Sequence, residues 1–345
     1  MEPIAQAGTR RITLKDIARH LDVSHATVSR ALNRADDPLI SEATILRVRE
    51  TAAAMGYRPN HAARSLATGR TGLIALWLWS EGLTNSYQAN VAQLMHAEAS
   101  RRSYQLLVNL VNWSALTDKT DNQFDVWHVD GIIAHEASPA FQARFQGSHR
   151  PPVPVVSTGV YHYLEGVDRV YIDISEGSRL AMQHLIDQGR RKIAYVTSNL
   201  QNFDDQRFIA YSSLLEAAGL PKTLVDVSDS SRPKVRSVVR EFIEANGVPD
   251  ALFCHNDDMA IAAYRALCDL GVRVPDDVAI VGCDGIEDTE YLEVPITTIA
   301  QPLVEMCALA TNFLEQRIED PSRPIQEASL PATLVVRASS GGTRP

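Results

Sequence analysis

The first regular pattern of apolar and polar positions covers residues 13–33. Four apolar residues recur there at helical spacing and form one face, namely Leu14, Ile17, Ala18 and Leu21. Thr13 followed by Asp16 matches the capping box that begins a helix. Val23 and Ser24 then fit a turn, in which Ser24 can accept from the amides of residues 25–27. The pattern therefore predicts two short helices joined by a tight turn.

The second predicted helix has one apolar face and one polar face. Its inward positions are Val28, Ala31 and Leu32. Its outward positions, which carry mostly hydrogen-bonding groups, are His25, Ala26, Ser29, Arg30 and Asn33. A polar outward face on a helix that follows a capped helix is typical of a helix-turn-helix. The pattern alone leaves open an ordinary helical hairpin within a globular domain.

Two further helical segments follow. Ser41 is predicted to cap a third helix over residues 42–55, with Gly56 at the position of a left-handed C-terminal cap. Pro59 then interrupts the pattern, and Asn60 can cap a short helix over residues 61–67. Because a helix shorter than about 12 residues is marginal alone in water, we expect this fourth helix to need a partner helix or a ligand.

The string TLKDIARHLDVSHATVSRALN resembles the DNA-binding motif of the LacI/GalR family of bacterial transcription regulators, through T-L-x-D-I-A, V-S-x-x-T-V-S-R and the closing L-N. The resemblance implies that DNA is contacted by Thr13, Ser24, His25, Ala26, Thr27, Ser29, Arg30 and Asn33. Within that set, His25, Ala26 and Arg30 are expected to probe base edges in the major groove, where arginine can pair with guanine or phosphate.

The stretch YRPNHAARSLATGR resembles the hinge of the same family. The resemblance implies that hinge helices from the two subunits of a dimer meet in the DNA minor groove. Leu66 would wedge between base pairs there, and Asn60 and Arg64 would add DNA contacts. An ordinary interdomain linker, with Leu66 in a dimer contact, is the alternative.

From residue 72 onward, short apolar runs alternate with amphipathic segments. Strands are predicted over residues 72–79, 104–111, 129–136, 153–159, 170–174, 192–197, 251–255, 277–284 and 331–339. Helices are predicted up to about residue 103 and over residues 176–188, 207–218, 235–246, 258–270 and 297–318. This alternation implies parallel sheets with helices on both faces, and its length suggests two doubly wound lobes with a cleft between them.

The resemblance extends over residues 13–338, because DGII, HLIDQGRRKIAYV, HNDDMAIAAYRALCDLGVRVPDDVAIVGCDG and LVVRAS stand in the family's order. The expected architecture is an all-α helix-turn-helix head with a hinge helix, joined to an α/β periplasmic-binding-protein-like body of two doubly wound lobes. The expected parts are a flexible arm (1–12), the DNA-binding domain (13–59), the hinge (60–70) and the effector-binding and dimerisation domain (71–345). The N-lobe would take about 71–172 and 303–330, and the C-lobe about 173–302 and 331–345.

Charge is divided unevenly along the chain. The formal net charge is −9, yet residues 1–70 carry 11 Lys and Arg against 7 Asp and Glu. Residues 71–345 therefore carry 22 against 35. A basic head that approaches DNA and an acidic body that DNA repels fit this division.

Three polar residues stand where ligands bind in parallel sheets, outside the carboxyl ends of strands. Asn256 and Asp284 follow predicted strands, and Arg207 begins a helix after another. By resemblance these positions hold the effector, and together they can bracket the vicinal hydroxyls of a sugar. The alternatives are a helix cap for Asn256, with Asp257 the more expected cap, a turn for Asp284, and a surface pair with Asp204 or Asp205 for Arg207.

The first lobe offers weaker candidates for the ligand, namely Trp79, Asn85 and Tyr87. Trp79 can stack on a sugar ring or fill the core. The family's D-x-x-N-P-F-F loop is reduced here to Asn85. Ala210 and Gly285 also depart from the family pattern, so the identity of the effector cannot be inherited.

Motifs of other classes are missing from the sequence. No G-x-G-x-x-G after a strand, P-loop or G-x-S-x-G is present, so we expect no enzyme and no cofactor. The histidines, including His128, His135, His149 and His162, lack metal spacing and are expected on the surface or in loops. The four cysteines have no paired spacing and are expected as buried thiols. No apolar run suits a signal peptide or membrane helix, so we expect a cytoplasmic protein.

The sequence therefore predicts a homodimeric repressor that binds a palindromic operator and responds to a small effector, most simply a carbohydrate. Corepression by a non-sugar ligand is the alternative within this class. A solute-binding protein and a sugar-converting enzyme on a similar body are the alternatives from other classes.

Overall fold

The computed structural model describes residues 12–33, 39–58, 65, 69–79, 85–111, 128–137, 152–161, 164–198 and 204–341. Contacts divide the chain into one unit of residues 1–71 and another of residues 72–345. The first unit is helical, and the second is built on two sheets. No helix within these ranges is long and apolar enough to cross a membrane.

Three helices pack around a small apolar core in the first unit. They are α1 (Leu14–Leu21), α2 (His25–Asn33) and α3 (Glu42–Ala54). The core consists of Ile17, Ala18, Val28, Ala31, Ile45, Val48 and Ala52. These residues are inward positions of the sequence pattern, so the helical head that the pattern predicts is confirmed.

Local hydrogen bonds fix where these helices begin. The Asp16 carboxylate accepts from the backbone N–H of Thr13 at 3.0 Å and from its hydroxyl at 2.7 Å. Ser24 Oγ accepts from the amide of Thr27 at 3.0 Å, and Ser41 caps α3 in the same way. Each cap satisfies an amide that the first helical turn would otherwise leave without an acceptor.

The first sheet of the larger unit is entirely parallel among its described strands. These are β1 (Leu73–Trp79), β2 (Gln105–Val111), β3 (Gly131–His135), β4 (Val155–Gly159), β5 (Asp168–Asp173) and β11 (Glu327–Pro331), in the spatial order β11-β5-β4-β3-β1-β2. β1 is buried on both faces, with Ile74, Leu76 and Leu78 on one side and Ala75 and Trp77 on the other. That double burial explains its uninterrupted apolar sequence.

The second sheet is parallel except at one edge. Its strands are β6 (Ile193–Thr197), β7 (Thr223–Asp226), β8 (Ala251–Cys254), β9 (Ala279–Asp284), β10 (Thr297–Ala300) and β12 (Thr333–Val335), in the order β12-β10-β9-β8-β6-β7. β12 pairs antiparallel with β10, and the other described pairs are parallel. The chain passes between the sheets after β5, after β10 and between β11 and β12.

Helices cover these sheets. α4 (Ser86–Arg101) and α9 (Leu303–Glu319) pack on one face of the first sheet. α5 (Ser175–Asp187) and α6 (Gln206–Ala217) pack on one face of the second sheet, and α7 (Arg232–Asn246) and α8 (Asp257–Asp269) pack on its other face. The predicted body of two α/β lobes is confirmed.

Several local predictions were wrong. Residues 297–300 form β10 and not the start of a helix, because a β-branched run pairs there between β9 and β12. Strands β7 and β11 were not predicted. His135 is fully buried at the end of β3 and not in a surface loop, and Cys268 is exposed while the other cysteines are buried.

Candidate nucleic-acid interface and ligand cleft

The outward face of α2 is exposed to solvent. His25, Ala26 and Arg30 are exposed, whereas Val28 and Ala31 are buried against the other two helices. The apolar face of α2 therefore packs on the head, and its polar face is exposed to solvent. A helix that enters the major groove requires this arrangement.

The remaining predicted contacts of the head lie beside that face. Thr13 and Ser24 are exposed, and Thr27 and Ser29 are half-buried. The hydroxyls of Ser24 and Thr27 are 2.8 Å apart, so these two residues shape the turn that leads into α2. The side chain of Asn33 lies outside the described residues, and so do the hinge candidates Asn60, Arg64 and Leu66.

Polar side chains from both lobes meet at the carboxyl ends of the strands. In the first lobe they are Tyr87, Glu136 and Tyr161, and in the second lobe they are Arg207, His255, Asn256, Asp284 and Gln301. Hydrogen bonds join the two groups directly, because Tyr161 contacts the second lobe at Arg207 and Tyr87 contacts Gln301 just after β10. We call the region that these residues line the ligand cleft, a candidate binding site.

Arg207 is buried in the cleft and is paired with Asp205. Nε and Nη2 of Arg207 donate to the two carboxylate oxygens of Asp205 at 2.9 and 2.7 Å. Nη2 also donates to the Tyr161 hydroxyl at 2.9 Å, and Nη1 donates to the carbonyl of His255 at 2.9 Å. Burial alone would raise the pKa of Asp205, but the guanidinium holds that pKa far below its usual range. The pair is therefore ionised. It is buried in the cleft, whereas the alternative considered from the sequence was an ion pair on the surface.

Asn256 caps α8, although Asp257 was the more expected cap. Asn256 Oδ1 accepts from the amide of Met259 at 2.8 Å. The Asp257 carboxylate instead accepts from the amides of Gly285 and Ile286 at 2.7 and 3.0 Å. Asp257 therefore holds the turn after β9. Because Oδ1 of Asn256 is used in the cap, only the amide NH₂ of Asn256 remains for a ligand.

Asp284 ends β9 in a backbone conformation that favours glycine, with φ at 131°. One of its carboxylate oxygens accepts from Gln301 Nε2 at 3.0 Å, and Gln301 Oε1 accepts from the Tyr87 hydroxyl at 3.0 Å. Burial and the nearby charge of Asp257 raise the pKa of Asp284 well above its usual range. The structure thus brings Asp284 and Tyr87, two predicted site residues, into one chain of hydrogen bonds.

The other first-lobe candidates differ from each other. Asn85 caps α4, with its Oδ1 accepting from the amide of Tyr87 at 2.9 Å. The side chain of Trp79 lies outside the described residues.

Ala210 is buried on α6, and Gly285 has φ of +76°, where an added Cβ would lie 2.8 Å from the α-carbon of Ala300. Ala210 and Gly285, the two residues that depart from the family pattern, therefore both stand at closely packed positions.

Sequence reasoning missed several cleft residues that the same strand-end rule would have found. Glu136 directly follows β3, Tyr161 follows β4, His255 follows β8 and Gln301 follows β10. Each is a polar or aromatic residue at the carboxyl end of a parallel strand, which is where ligands bind in such sheets.

A second set of contacts joins the lobes at the mouth of the cleft. The backbone N–H of Ser86, at the start of α4, donates to the Asp258 carboxylate at 3.1 Å. Arg232, at the start of α7, donates to Asp258 at 2.7 Å, to Ser86 Oγ at 3.0 Å and to Asp288 at 3.1 Å. We call Ser86, Arg232, Asp258 and Asp288 the lobe latch.

Among the described residues, no group of three His, Cys, Asp or Glu side chains is arranged to hold a metal ion.

Comparison with protein families matches both units of the chain. Residues 13–60 match the family described as bacterial regulatory proteins, lacI family, and residues 182–340 match a periplasmic binding protein-like domain. A ribose operon repressor of Haemophilus influenzae is 30% identical over 334 residues, which are 95% of this chain and 98% of that repressor. The HTH-type transcriptional repressor PurR of Aliivibrio salmonicida is 30% identical over 317 residues, which are 89% of this chain and 92% of that protein.

Solved structures share the fold. The lac repressor dimer bound to operator and the anti-inducer ONPF aligns over 96% of this chain and 99% of that chain, with a TM-score of 0.76 and 23% identity. A complex of the transcriptional regulator CelR with cellobiose aligns over 95% of this chain and 100% of that chain, with a TM-score of 0.63 and 27% identity.

Proposed function

Since this chain belongs to the LacI family of bacterial regulatory proteins, we propose that it is a sequence-specific transcriptional repressor whose operator affinity is changed by a small effector. The observation that carries the proposal is the similarity to a ribose operon repressor along 98% of that protein, head and body together. A carbohydrate or sugar derivative is the effector class that relatives named for ribose and cellobiose support.

The head would read the operator through the exposed face of α2. His25, Ala26 and Arg30 are exposed on a helix whose opposite face is buried, so they can reach base edges. The hinge of residues 60–70 would add minor-groove contacts through Leu66. The chain would bind as a homodimer, because two heads related by two-fold symmetry match the two half-sites of a palindromic operator.

The body would couple ligand to DNA through the relative position of its lobes. Arg207, Asn256 and Asp284 come from the second lobe. Arg207 contacts Tyr161 of the first lobe, and Gln301 links Asp284 to Tyr87 of the first lobe. A ligand that prefers one lobe arrangement increases the population of that arrangement and so changes the affinity for DNA, and linkage requires that DNA change the affinity for the ligand by the same factor. Relief of repression is the direction that we propose, and corepression is its alternative.

Two other function classes fit less well. The body alone would suit a solute-binding protein, but the head supports DNA binding, and hence a place in the cytoplasm with the DNA. The relatives are repressors and not enzymes, and we propose that the cleft binds its ligand without converting it.

Selection of duplexes from a randomised DNA library by the full chain tests the DNA-binding half. We expect a palindromic consensus, and Arg30→Ala should lower the affinity for it by about 5–150-fold, since a bidentate arginine–guanine contact is worth about 1–3 kcal/mol. Arg179→Ala, on the exposed surface of α5, is the matched control and should bind as the parent does. Failure to enrich any sequence would refute the proposed function.

A further inference from the structure

Tyr161 extends from the first lobe into the second. It follows β4 by two residues, and its hydroxyl reaches the start of α6 in the other lobe. The hydroxyl donates to one carboxylate oxygen of Asp205 at 2.9 Å and accepts from Nη2 of Arg207 at 2.9 Å. Burial raises the pKa of Tyr161 well above its usual range, so the hydroxyl keeps its proton. One neutral hydroxyl of the first lobe therefore bridges an ion pair of the second lobe.

The guanidinium of Arg207 has its donors engaged. Nε and Nη2 donate to Asp205, and Nη1 donates to the His255 carbonyl at 2.9 Å and lies 4.0 Å from Cys283 Sγ. These three partners belong to the second lobe itself. Among the described residues, Tyr161 is the one partner of the guanidinium that comes from the first lobe. A ligand that accepts from Arg207 must therefore replace an existing partner.

The carboxylate of Asp205 is also saturated, since a carboxylate offers about four acceptor positions. It accepts from the backbone amides of Arg207 and Phe208 at 2.9 and 3.4 Å, from two nitrogens of the Arg207 side chain, and from the Tyr161 hydroxyl. All of these donors except Tyr161 belong to α6, which Asp205 caps, so they stay with Asp205 when the lobes move. The exchangeable partner of the ion pair is therefore Tyr161.

The Tyr161 hydroxyl bonds to this pair as a ligand hydroxyl would. It donates to a carboxylate and accepts from a guanidinium, and one hydroxyl of a carbohydrate can do the same. Withdrawal of Tyr161 alone would leave one donor and one acceptor of a buried ion pair without partners. A ligand that brings its own hydroxyl avoids this loss. The lobes can therefore separate at this contact more readily with ligand than without it.

On the basis of the proposed function, we propose that Tyr161 is an internal ligand of the cleft: its hydroxyl occupies the Arg207–Asp205 pair in the ligand-free protein and holds the lobes together there, and the effector binds by displacing it with a hydroxyl of its own. Effector binding then removes a contact between the lobes in the same step that fills the cleft. This exchange couples occupancy of the cleft to the lobe arrangement, as the proposed function requires.

Hydrogen exchange of the ligand-free full chain tests the contact between the lobes. The backbone N–H of Ser86 donates across the lobes to Asp258, so its exchange reports their separation. Tyr161→Phe removes the bridging oxygen and should speed this exchange by about tenfold or more, because a hydrogen bond to a charged group typically contributes at least that factor. Tyr291→Phe is the matched control, since it removes an exposed hydroxyl that contacts Glu287 within the second lobe.

The amides of β1 separate opening of the lobes from loss of the fold. Their exchange in Tyr161→Phe should equal that of the parent, because β1 is paired within the first sheet. Unchanged exchange at Ser86 in Tyr161→Phe overturns the proposal. Faster exchange at Ser86 and throughout β1 also overturns it, because the residue would then only stabilise its own lobe.

A ligand titration distinguishes displacement of Tyr161 from a direct contact with it. D-Ribose, D-glucose and cellobiose are titrated calorimetrically into the parent, Tyr161→Phe and Tyr291→Phe. Displacement predicts that a probe which binds the parent binds Tyr161→Phe about tenfold or more tightly, because the variant has no internal hydroxyl to displace. Tyr291→Phe should bind as the parent does. Equal or weaker binding by Tyr161→Phe would mean that the tyrosine stays in place beside the ligand, and it overturns the proposal.

These outcomes are separable from those that test the proposed function. Operator selection does not use Tyr161, so a palindromic consensus obtained alongside unchanged exchange would refute the internal ligand and leave the proposed function standing. Faster exchange at Ser86 in Tyr161→Phe, together with failure to enrich any operator, would support the contact between the lobes and refute the proposed function.

Discussion

The carboxylate of Asp257 is buried at the start of α8 and accepts from the turn after β9 and from Thr298. The Thr298 hydroxyl lies 2.7 Å from one carboxylate oxygen, and the amides of Gly285 and Ile286 lie 2.7 and 3.0 Å from the other. Burial raises the pKa of Asp257 to about 6, which these donors partly oppose. A single residue therefore fixes the backbone that carries Asp284 into the cleft.

Replacing this residue should be costly. Asp257→Ala removes the acceptor of two buried donors, the Ile286 amide and the Thr298 hydroxyl, and leaves the Gly285 amide only Thr298 Oγ1 at 3.2 Å, so we expect a loss of about 2–4 kcal/mol in the unfolding free energy of the body. Urea unfolding followed by fluorescence measures the loss. Asp276→Ala removes an exposed carboxylate and should cost less than about 0.5 kcal/mol. Equal losses in the two variants would contradict this role for Asp257.

Glu136 contributes one part of the pH dependence of stability. Its pKa is raised from 4.5 to about 7 in the folded protein, so the folded state binds more protons than the unfolded state between these values. Stability should therefore fall as the pH rises from about 4.5 to about 7 and should change little from this cause above 7. In Glu136→Gln this part of the decline should disappear in melting curves recorded across that range. A parallel decline in parent and variant would exclude Glu136 as its source.

At the scale of single residues, the sequence predicted the candidate site only in part. The strand-end rule found Arg207, Asn256 and Asp284, because polar residues after apolar runs are visible in one dimension. It left open whether Asn256 caps α8 and whether Asp205 pairs with Arg207, and it favoured Asp257 as the cap and placed the ion pair on the surface. Those outcomes depend on which partners the fold brings within 3 Å, and single-sequence patterns do not contain that distance.

At the scale of elements, apolar periodicity predicted α1, α2 and α3 with their buried faces, because each has one stripe toward a shared core. It failed at β10, where the run Thr297, Thr298 and Ile299 leads into α9 without a visible break. β-branched residues prefer strands, and the pairing of β10 between β9 and β12 depends on distant segments.

The cap of α2 provides a test at this scale. Ser24→Ala removes the acceptor of the Thr27 amide, so the head should lose about 1 kcal/mol of stability and the operator affinity should fall with it. Ser41→Ala removes the corresponding cap of α3 and should cost similar stability. Because only Ser24 sets the start of the DNA-reading helix, the larger loss of operator affinity, measured by fluorescence anisotropy, should occur in Ser24→Ala. A larger loss in Ser41→Ala would contradict this assignment.

For the whole molecule, the important contacts are those between lobes. The lobe latch joins the start of α4 to the starts of α7 and α8, and Tyr87 and Tyr161 join the lobes deeper in the cleft. Polar contacts of this kind can be exchanged for contacts with water or ligand, as a ligand-dependent change of lobe angle requires.

Breaking the latch should loosen the mouth of the cleft. In Arg232→Ala the bridge from α7 to Ser86 and Asp288 is lost, so we expect faster hydrogen exchange of amides in the first turn of α4. Arg236→Ala, one turn along the same helix, removes only a contact with Asp269 inside the second lobe and should leave that exchange unchanged. Equal exchange in Arg232→Ala and the parent would show that Arg232 does not hold the lobes together.

The most direct test is the operator affinity of the full chain, measured by anisotropy with and without saturating cleft ligand. The account predicts that ligand changes the operator dissociation constant by about 5–150-fold, the usual range of allosteric coupling, and that Asp284→Asn removes this change. An operator affinity that stays the same while the cleft is demonstrably occupied would contradict the coupling of cleft to DNA.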